Sequence, residues 1–321
     1  MTSSVLTEPH AEPGSPGSTP GTGDRRRRRR ERGAAALFLS PWVIGAALLT
    51  VGPMLASLYL SFTDYNLFNA PTWVGLRNYV NLFTNDHHFW DSVWVTVRYV
   101  LFSVPLKLAL ALAVALLLNR ARRGQGLYRS AFYAPSLLGA SVSVALVWRA
   151  VFNDGGVVDK GLAAIGVHTG GWIDRPQYAL YTLVLLAAWQ FGAPMVIFLA
   201  GLKQIPRDLY EAAEVDGAGP PRRFWSVTVP MLSPVLLFNL VLEIIHAFQA
   251  FTSAFVISSG RGGPSDSTLF YTLYLYQRGF VDFRMGYASA MAWLLLVVIG
   301  AITLLLFRTS RRWVFYAGEE R

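Results

Sequence analysis

Cysteine is absent from the 321 residues. That excludes a disulfide framework, a thiolate metal site and a cysteine nucleophile. Charge is scarce too. Asp, Glu, Lys and Arg make up 15% of the chain, against about a quarter in a soluble globular domain. The chain holds no GxxxxGK[ST] phosphate loop, no HExxH and no GxSxG. It therefore encodes neither its own ATP hydrolysis nor a zincin or serine-esterase centre. Polar sequence with internal order occurs in one long stretch, Ile205 to Pro234. Most of the rest is apolar, with 53% hydrophobic residues overall.

Six apolar runs reach the roughly 20 residues needed to cross a bilayer. They are 35–62, 93–118, 128–152, 179–201, 231–257 and 286–307. The expected fold class is an all-α membrane protein of six transmembrane helices. Pro53, Pro105, Pro135, Pro194 and Pro234 fall inside these runs, where neighbouring helices can satisfy the freed backbone groups. Trp42, Trp148, Trp189 and Tyr181 are candidates for interfacial belts. Residues 1–33 are rich in Pro, Gly, Ser, Thr and Arg and read as a disordered leader. Its run Arg25–Arg30 reads as a topology signal rather than a nucleic-acid site. Segments 25–32, 119–129, 202–229 and 308–321 carry 19 Lys and Arg, against six in 63–92, 153–178 and 258–285. That asymmetry predicts cytoplasmic N- and C-termini and a cytoplasmic 202–229. The expected division is a leader at 1–33, a first span and outer loop at 34–91, a five-helix body at 92–308 and a tail at 309–321.

Within 205–234, Pro206 suits the first position of a helix, and Asp208 suits its first turn. Gly217 suits a left-handed cap at the helix end. Gly219-Pro220-Pro221 predicts a turn followed by a second short helix, and Pro230 and Pro234 open the next apolar run. Ala212 and Ala213 leave a face that another surface can approach closely.

Polar residues inside spans are costly and point to function. The fifth run holds Asn239, Glu243, His246, Gln249 and Ser253, spaced to share one helical face. Three readings fit: a path for a polar solute, helix–helix glue through Glu243–His246 pairing, or a proton relay through the same two groups. The single Glu argues mildly against an anionic solute. In the fourth run, Trp189 and Gln190 precede Gly192 and Pro194. An aromatic ring beside an amide suits a sugar, and the alternative is an ordinary proline kink. Arg98, Lys107 and Arg149 read as side chains snorkelling to the interface. His87 and His88 read as surface-loop residues, and no metal site is assigned.

Glu211-Ala212-Ala213, Asp216-Gly217-Ala218, Phe224, Val227, Pro230 and Pro234 follow the spacing EAA-x2-DGA-x5-F-x2-[IV]-x2-P-x3-P. This resembles the EAA motif of membrane subunits of binding-protein-dependent ABC importers. GLRNYVNLF at 75–83, LYRSAFYAPSLL at 127–138 and the stretch GGPSDSTLFYTLYLYQRGF resemble carbohydrate permeases of the maltose and glycerol-phosphate type, first subunit of the pair. The resemblance covers about 34–310 and lacks the large outer insertion of the maltose subunit. It implies a type I importer fold in the cytoplasmic membrane of a prokaryote. It also implies a non-enzymatic permease with no cofactor of its own, since ATP and Mg would be bound by a partner ABC ATPase dimer. A second permease and an extracellular solute-binding protein complete the implied assembly, with a sugar or small oligosaccharide as solute. A glycerol-phosphate or polyol permease is the nearest alternative, and a proton-coupled secondary transporter is the alternative from another class. The motif residues Glu211, Ala212, Ala213, Asp216, Gly217, Ala218, Phe224 and Pro230 would form the element that couples to the ATPase.

Overall fold

The computed structural model describes residues 37–120, 125–139, 141–167 and 169–315. The expectations for the leader at 1–33 and for the last six residues of the tail lie outside them. The chain divides into two compact units, Met1–Ala56 and Ser57–Arg321.

The described part of the first unit belongs to helix α1, Leu37–Ser61. Its turn Ala47–Val51 is widened, with the Gly52 N–H donating to Ala47 O. A widened turn just ahead of Pro53 fits a residue that has no N–H to give. Phe38, Trp42 and Leu49 are exposed, as lipid-facing side chains are.

The second unit is helical, and among its described residues the only β pairing is an isolated bridge between Thr63 and Trp73. Its elements are α2 (Arg77–Thr84), α3 (His87–Arg120), α4 (Gln125–Leu138), α5 (Val142–Phe152), α6 (Val157–Ala163), α7 (Pro176–Trp189), α8 (Gly192–Gln204) and α9 (Arg207–Val215). These are followed by α10 (Pro220–Ile257), α11 (Tyr271–Tyr276) and α12 (Met285–Ser310). Four helices, α1, α3, α10 and α12, are each long and apolar enough to cross a membrane. The count of six is reached when each of two bent pairs is taken as one span. Those pairs are α7 with α8, bent by 42°, and Gly126–Leu138 with Val142–Ala163, bent by 96°. The run 128–152 is therefore not the single straight helix that its composition suggests. Gly139, at φ +56, turns the chain between the two halves.

Helix α3 is the centre of this unit. It packs against α7, α8 and α10, and Val104, Leu108, Ala111 and Ala115 on it are buried with Leu183, Met195 and Phe198. Helices α8 and α10 approach closely at Gly201, where a Cβ would lie 2.9 Å from Leu232 and Val235. At the α3 N-terminus, Asp86 accepts hydrogen bonds from the Tyr274 and Tyr287 hydroxyls, each at 2.5 Å. Burial raises the affinity of this carboxyl for its proton. The two hydroxyls, the Phe89 N–H and nearby Arg278 outweigh that and hold it below the ordinary aspartate range. This node ties α3 to α11 and α12.

Candidate functional site: a polar cavity at two helix breaks

The backbone breaks twice beside α3. The first break lies between α7 and α8, at Gln190 and Phe191. The sequence suggests a kink at Pro194, but Pro194 sits in the first turn of α8, where a missing N–H is tolerated. One side chain closes the break: the Ser136 hydroxyl of α4 donates to Gln190 O at 2.9 Å and accepts from the Ala193 N–H at 3.0 Å. Gly192 lets α4 come this close, since a Cβ there would sit 2.4 Å from Phe132 O. The Gln190 amide donates to Gly139 O at 3.2 Å. The second break is at 249–251, within α10, where Ala250 O accepts from the Thr272 hydroxyl at 2.5 Å. Non-helical backbone at membrane depth is tolerated where protein buries it or where it lines a wet cavity.

A cavity of about 490 Å³ lies between the two breaks. Glu243, His246, Gln249 and Ser253 line it from α10, Gln190 and Ser136 from the other side, and Tyr99, Ser103 and Lys107 from α3. Four of the five polar residues predicted to share a face of the fifth run thus meet there. Asn239 does not line it. It is 2% exposed and donates through Nδ2 to Val235 O at 3.1 Å. Trp189 does not line it either, and packs on Trp148 with ring centroids 6.1 Å apart.

Lys107 is the residue that sequence reasoning misplaces. Its Nζ donates to Glu243 Oε2 at 2.7 Å, with the two side chains only 14% and 11% exposed. It points into the bundle rather than snorkelling, and Glu243 pairs with it rather than with His246. Arg149 is likewise held, donating to Ser259 Oγ at 2.7 Å near the end of α10, while Arg98 is exposed. The Trp148 indole N–H donates to Thr182 O at 2.9 Å. His88 sits in the first turn of α3, not in a loop, and its Nδ1 lies 2.9 Å from Asp266 Oδ2. Asp91 is close enough that the three side chains form a candidate metal-ligating cluster.

At one end of α10 lies the motif stretch. Helix α9 starts one residue later than its sequence suggests, with Pro206 extended as its cap. It ends as a Schellman motif. Gly217 is at φ +74, its N–H donates to Glu214 O at 3.0 Å, and the Ala218 N–H donates to Ala213 O at 2.9 Å. Glu211, Ala212, Asp216 and Gly217 are exposed, and Ala213, Ala218, Phe224 and Pro230 are half-buried. The expected second short helix is not separate. Pro220–Arg223 runs through a widened turn, Phe224–Thr228, into the rest of α10. Pro230 and Pro234 therefore lie within a stretch of α10 that runs without a stop as far as Phe248. Arg223 pairs with Glu214 at 2.8 Å, and the Tyr210 and Thr228 hydroxyls meet at 3.0 Å, so α9 is bound to the start of α10.

Comparison with known proteins agrees with this architecture. Residues 84–316 match the model of the family described as binding-protein-dependent transport system inner membrane component. The chain is 52% identical over 293 residues to the probable ABC transporter permease protein YesP of Bacillus subtilis (strain 168), covering 91% of this chain and 95% of that one. It is 32% identical to the trehalose/maltose transport system permease protein MalF of Thermococcus litoralis, covering 88% and 95%. Among solved structures, a bacterial ABC transporter involved in import of the acidic polysaccharide alginate shares the fold. Its TM-score is 0.78 at 22% identity, over 90% of this chain and 98% of that one. The helical architecture, the polar cavity at its breaks and the extent of these matches lead to one assignment: the chain belongs to the family of inner membrane components of binding-protein-dependent transport systems.

Proposed function

We propose that the chain is one of two permease subunits of an importer for a sugar or small oligosaccharide, driven by a separate ABC ATPase dimer and fed by an extracellular solute-binding protein. One observation carries the reading. A single helix, α10, begins at the exposed motif turn and ends at the cavity. A push on α9 is transmitted through Glu214–Arg223 and Tyr210–Thr228 to the helix that bears Glu243 and His246. Ala212 and Ala213 leave room for an ATPase groove, and Glu211 and Asp216 supply acceptors at its rim. Both termini and the motif turn then lie on the cytoplasmic side, and the cavity opens alternately to the two faces.

The solute class has support from the relatives, which include permeases for trehalose/maltose, lactose and arabinooligosaccharides. The cavity has the matching chemistry, with hydroxyls, amides and an ion pair that can bond to sugar hydroxyls. The alginate transporter was also solved with a pentasaccharide-bound periplasmic protein. A glycerol-phosphate or polyol solute would use the same groups. The proton-relay reading loses its geometry, because Glu243 bonds to Lys107 instead of His246.

The test is reconstitution of the chain with its second permease, ATPase and binding protein in vesicles. ATP-dependent uptake of a labelled sugar that the binding protein captures is expected. Uptake that persists without ATP and follows an imposed proton gradient would sink the reading.

A further inference from the structure

The Lys107–Glu243 pair changes what the cavity's charge means. The Glu alone argues against an anionic solute, but a lysine 2.7 Å away removes that argument. The pair sits at the cavity wall, not away from it. His246 is a further ionisable side chain on the wall. Beside the pair, the buried Ser103 and Tyr99 hydroxyls, which interact with each other, complete the α3 side of the wall. Lys107 uses one of its three donors on Glu243, and Glu243 receives it on one of its two oxygens.

We propose that Lys107 and Glu243 are the charge-specificity determinants of this cavity: together they hold it free of net fixed charge, so that solutes are selected by hydroxyl pattern and neither sign is favoured. Either partner alone would impose its own sign. An unpaired Lys107 would draw carboxylate-bearing sugars, and an unpaired Glu243 would repel them. The inference rests on reading the cavity as the solute's path, and its test is separable from that reading.

The chain has no cysteine, so an introduced thiol is its only one, and the assembly without it gives the background from the partner subunits. Ala187 lines the same cavity. In Ala187→Cys, within the assembled importer, the probes are two methanethiosulfonates of similar size, one with a sulfonate and one with a trimethylammonium group. With the pair intact, the ratio of their reaction rates should stay within about threefold of that for a free small thiol. Glu243→Gln should raise the ratio in favour of the anion by about tenfold, and Lys107→Gln should lower it by about tenfold, as expected for one uncompensated charge in a site of reduced dielectric. The double variant Lys107→Gln with Glu243→Gln should return it to the starting value. Should a single variant fail to assemble, the intact-pair ratio still decides: a displacement beyond about threefold overturns the proposal. So do single variants whose ratios do not move. If the ratios shift as stated while sugar uptake is untouched by Glu243→Gln, the charge assignment stands and the cavity is not the transport path.

Discussion

The motif turn and the cavity are built by opposite means. At the turn, the hydrogen bonds are local. Ala218 reaches back to Ala213, Gly217 to Glu214, and Arg223 to Glu214 nine positions earlier. Its outward side chains are exposed and contribute little to the fold. At the cavity, polar groups are buried and their partners are remote. Lys107 and Glu243 are separated by 136 positions, and Ser136 and Gln190 by 54. A buried polar group is costly when its partner is lost, whereas an exposed one exchanges its partner for water. The two regions should therefore fail differently. Cavity substitutions should act first on the fold, and turn substitutions first on what the fold does.

The largest effect is expected at the ion pair. Lys107→Met leaves a nearly buried carboxylate without its cation, a change that costs about 3–5 kcal/mol. Thermal unfolding of the purified assembly, with membrane abundance as a second readout, should show a large loss. Lys107→Met with Glu243→Leu should recover most of it, because an apolar pair is tolerated where a lone charge is not. If the single and double variants are equally unstable, the pair is not what the cavity wall depends on.

Next comes Gly192→Ala. The new methyl would meet Phe132 O at 2.4 Å and the Tyr133 Cα at 2.7 Å, both backbone atoms of α4. Overpacking of this kind costs about 1–3 kcal/mol, and it should also part Ser136 from the α7–α8 break. Unchanged unfolding would show that α4 yields freely, and that the 96° bend beside it is soft. Gly217→Ala should be milder. No atom lies within 4 Å of its Cβ position, so the cost is backbone strain alone, about 1–2 kcal/mol for a left-handed residue. A stability change near zero would mean that the Schellman turn relaxes without unwinding α9.

The same contrast explains what was legible in the sequence. The turn was readable because its causes lie within about 15 residues: a proline before α9, a glycine after it, and prolines at the start of α10. Its one misreading, a separate second helix, concerns continuity. The widened turn Phe224–Thr228 lets the helix pass Pro230 without stopping, and a proline pattern does not distinguish a stop from an accommodated turn. At the cavity, helical periodicity gathered Glu243, His246, Gln249 and Ser253 correctly. It could not show that the helix breaks at 249–251, nor that Asn239 satisfies itself on Val235 O. Lys107 and Ser136 carried no local signal. A lysine within an apolar run reads as a snorkelling lysine until the facing helix is known.

The smallest effect on the fold, and the sharpest test of the contrast, is Glu211→Lys. Glu211 lies exposed on α9, and its carboxylate makes no ion pair among the described residues. Surface substitutions of this kind change stability by about 0.5 kcal/mol or less. The variant should therefore reach the membrane, assemble with the second permease and unfold with the normal midpoint. Its uptake should nevertheless fall at least tenfold if α9 docks on the ATPase as proposed, because a lysine then replaces an acceptor on the docking face. The loss should trace to docking: a thiol introduced by Ala212→Cys should cross-link to the ATPase when Glu211 is intact and poorly beside Glu211→Lys. Near-normal uptake with the fold intact would leave α9 as a structural cap on α10 and remove its role as the point where force enters. Lost uptake with lost assembly would place the turn in the same class as the cavity and erase the distinction between the two regions.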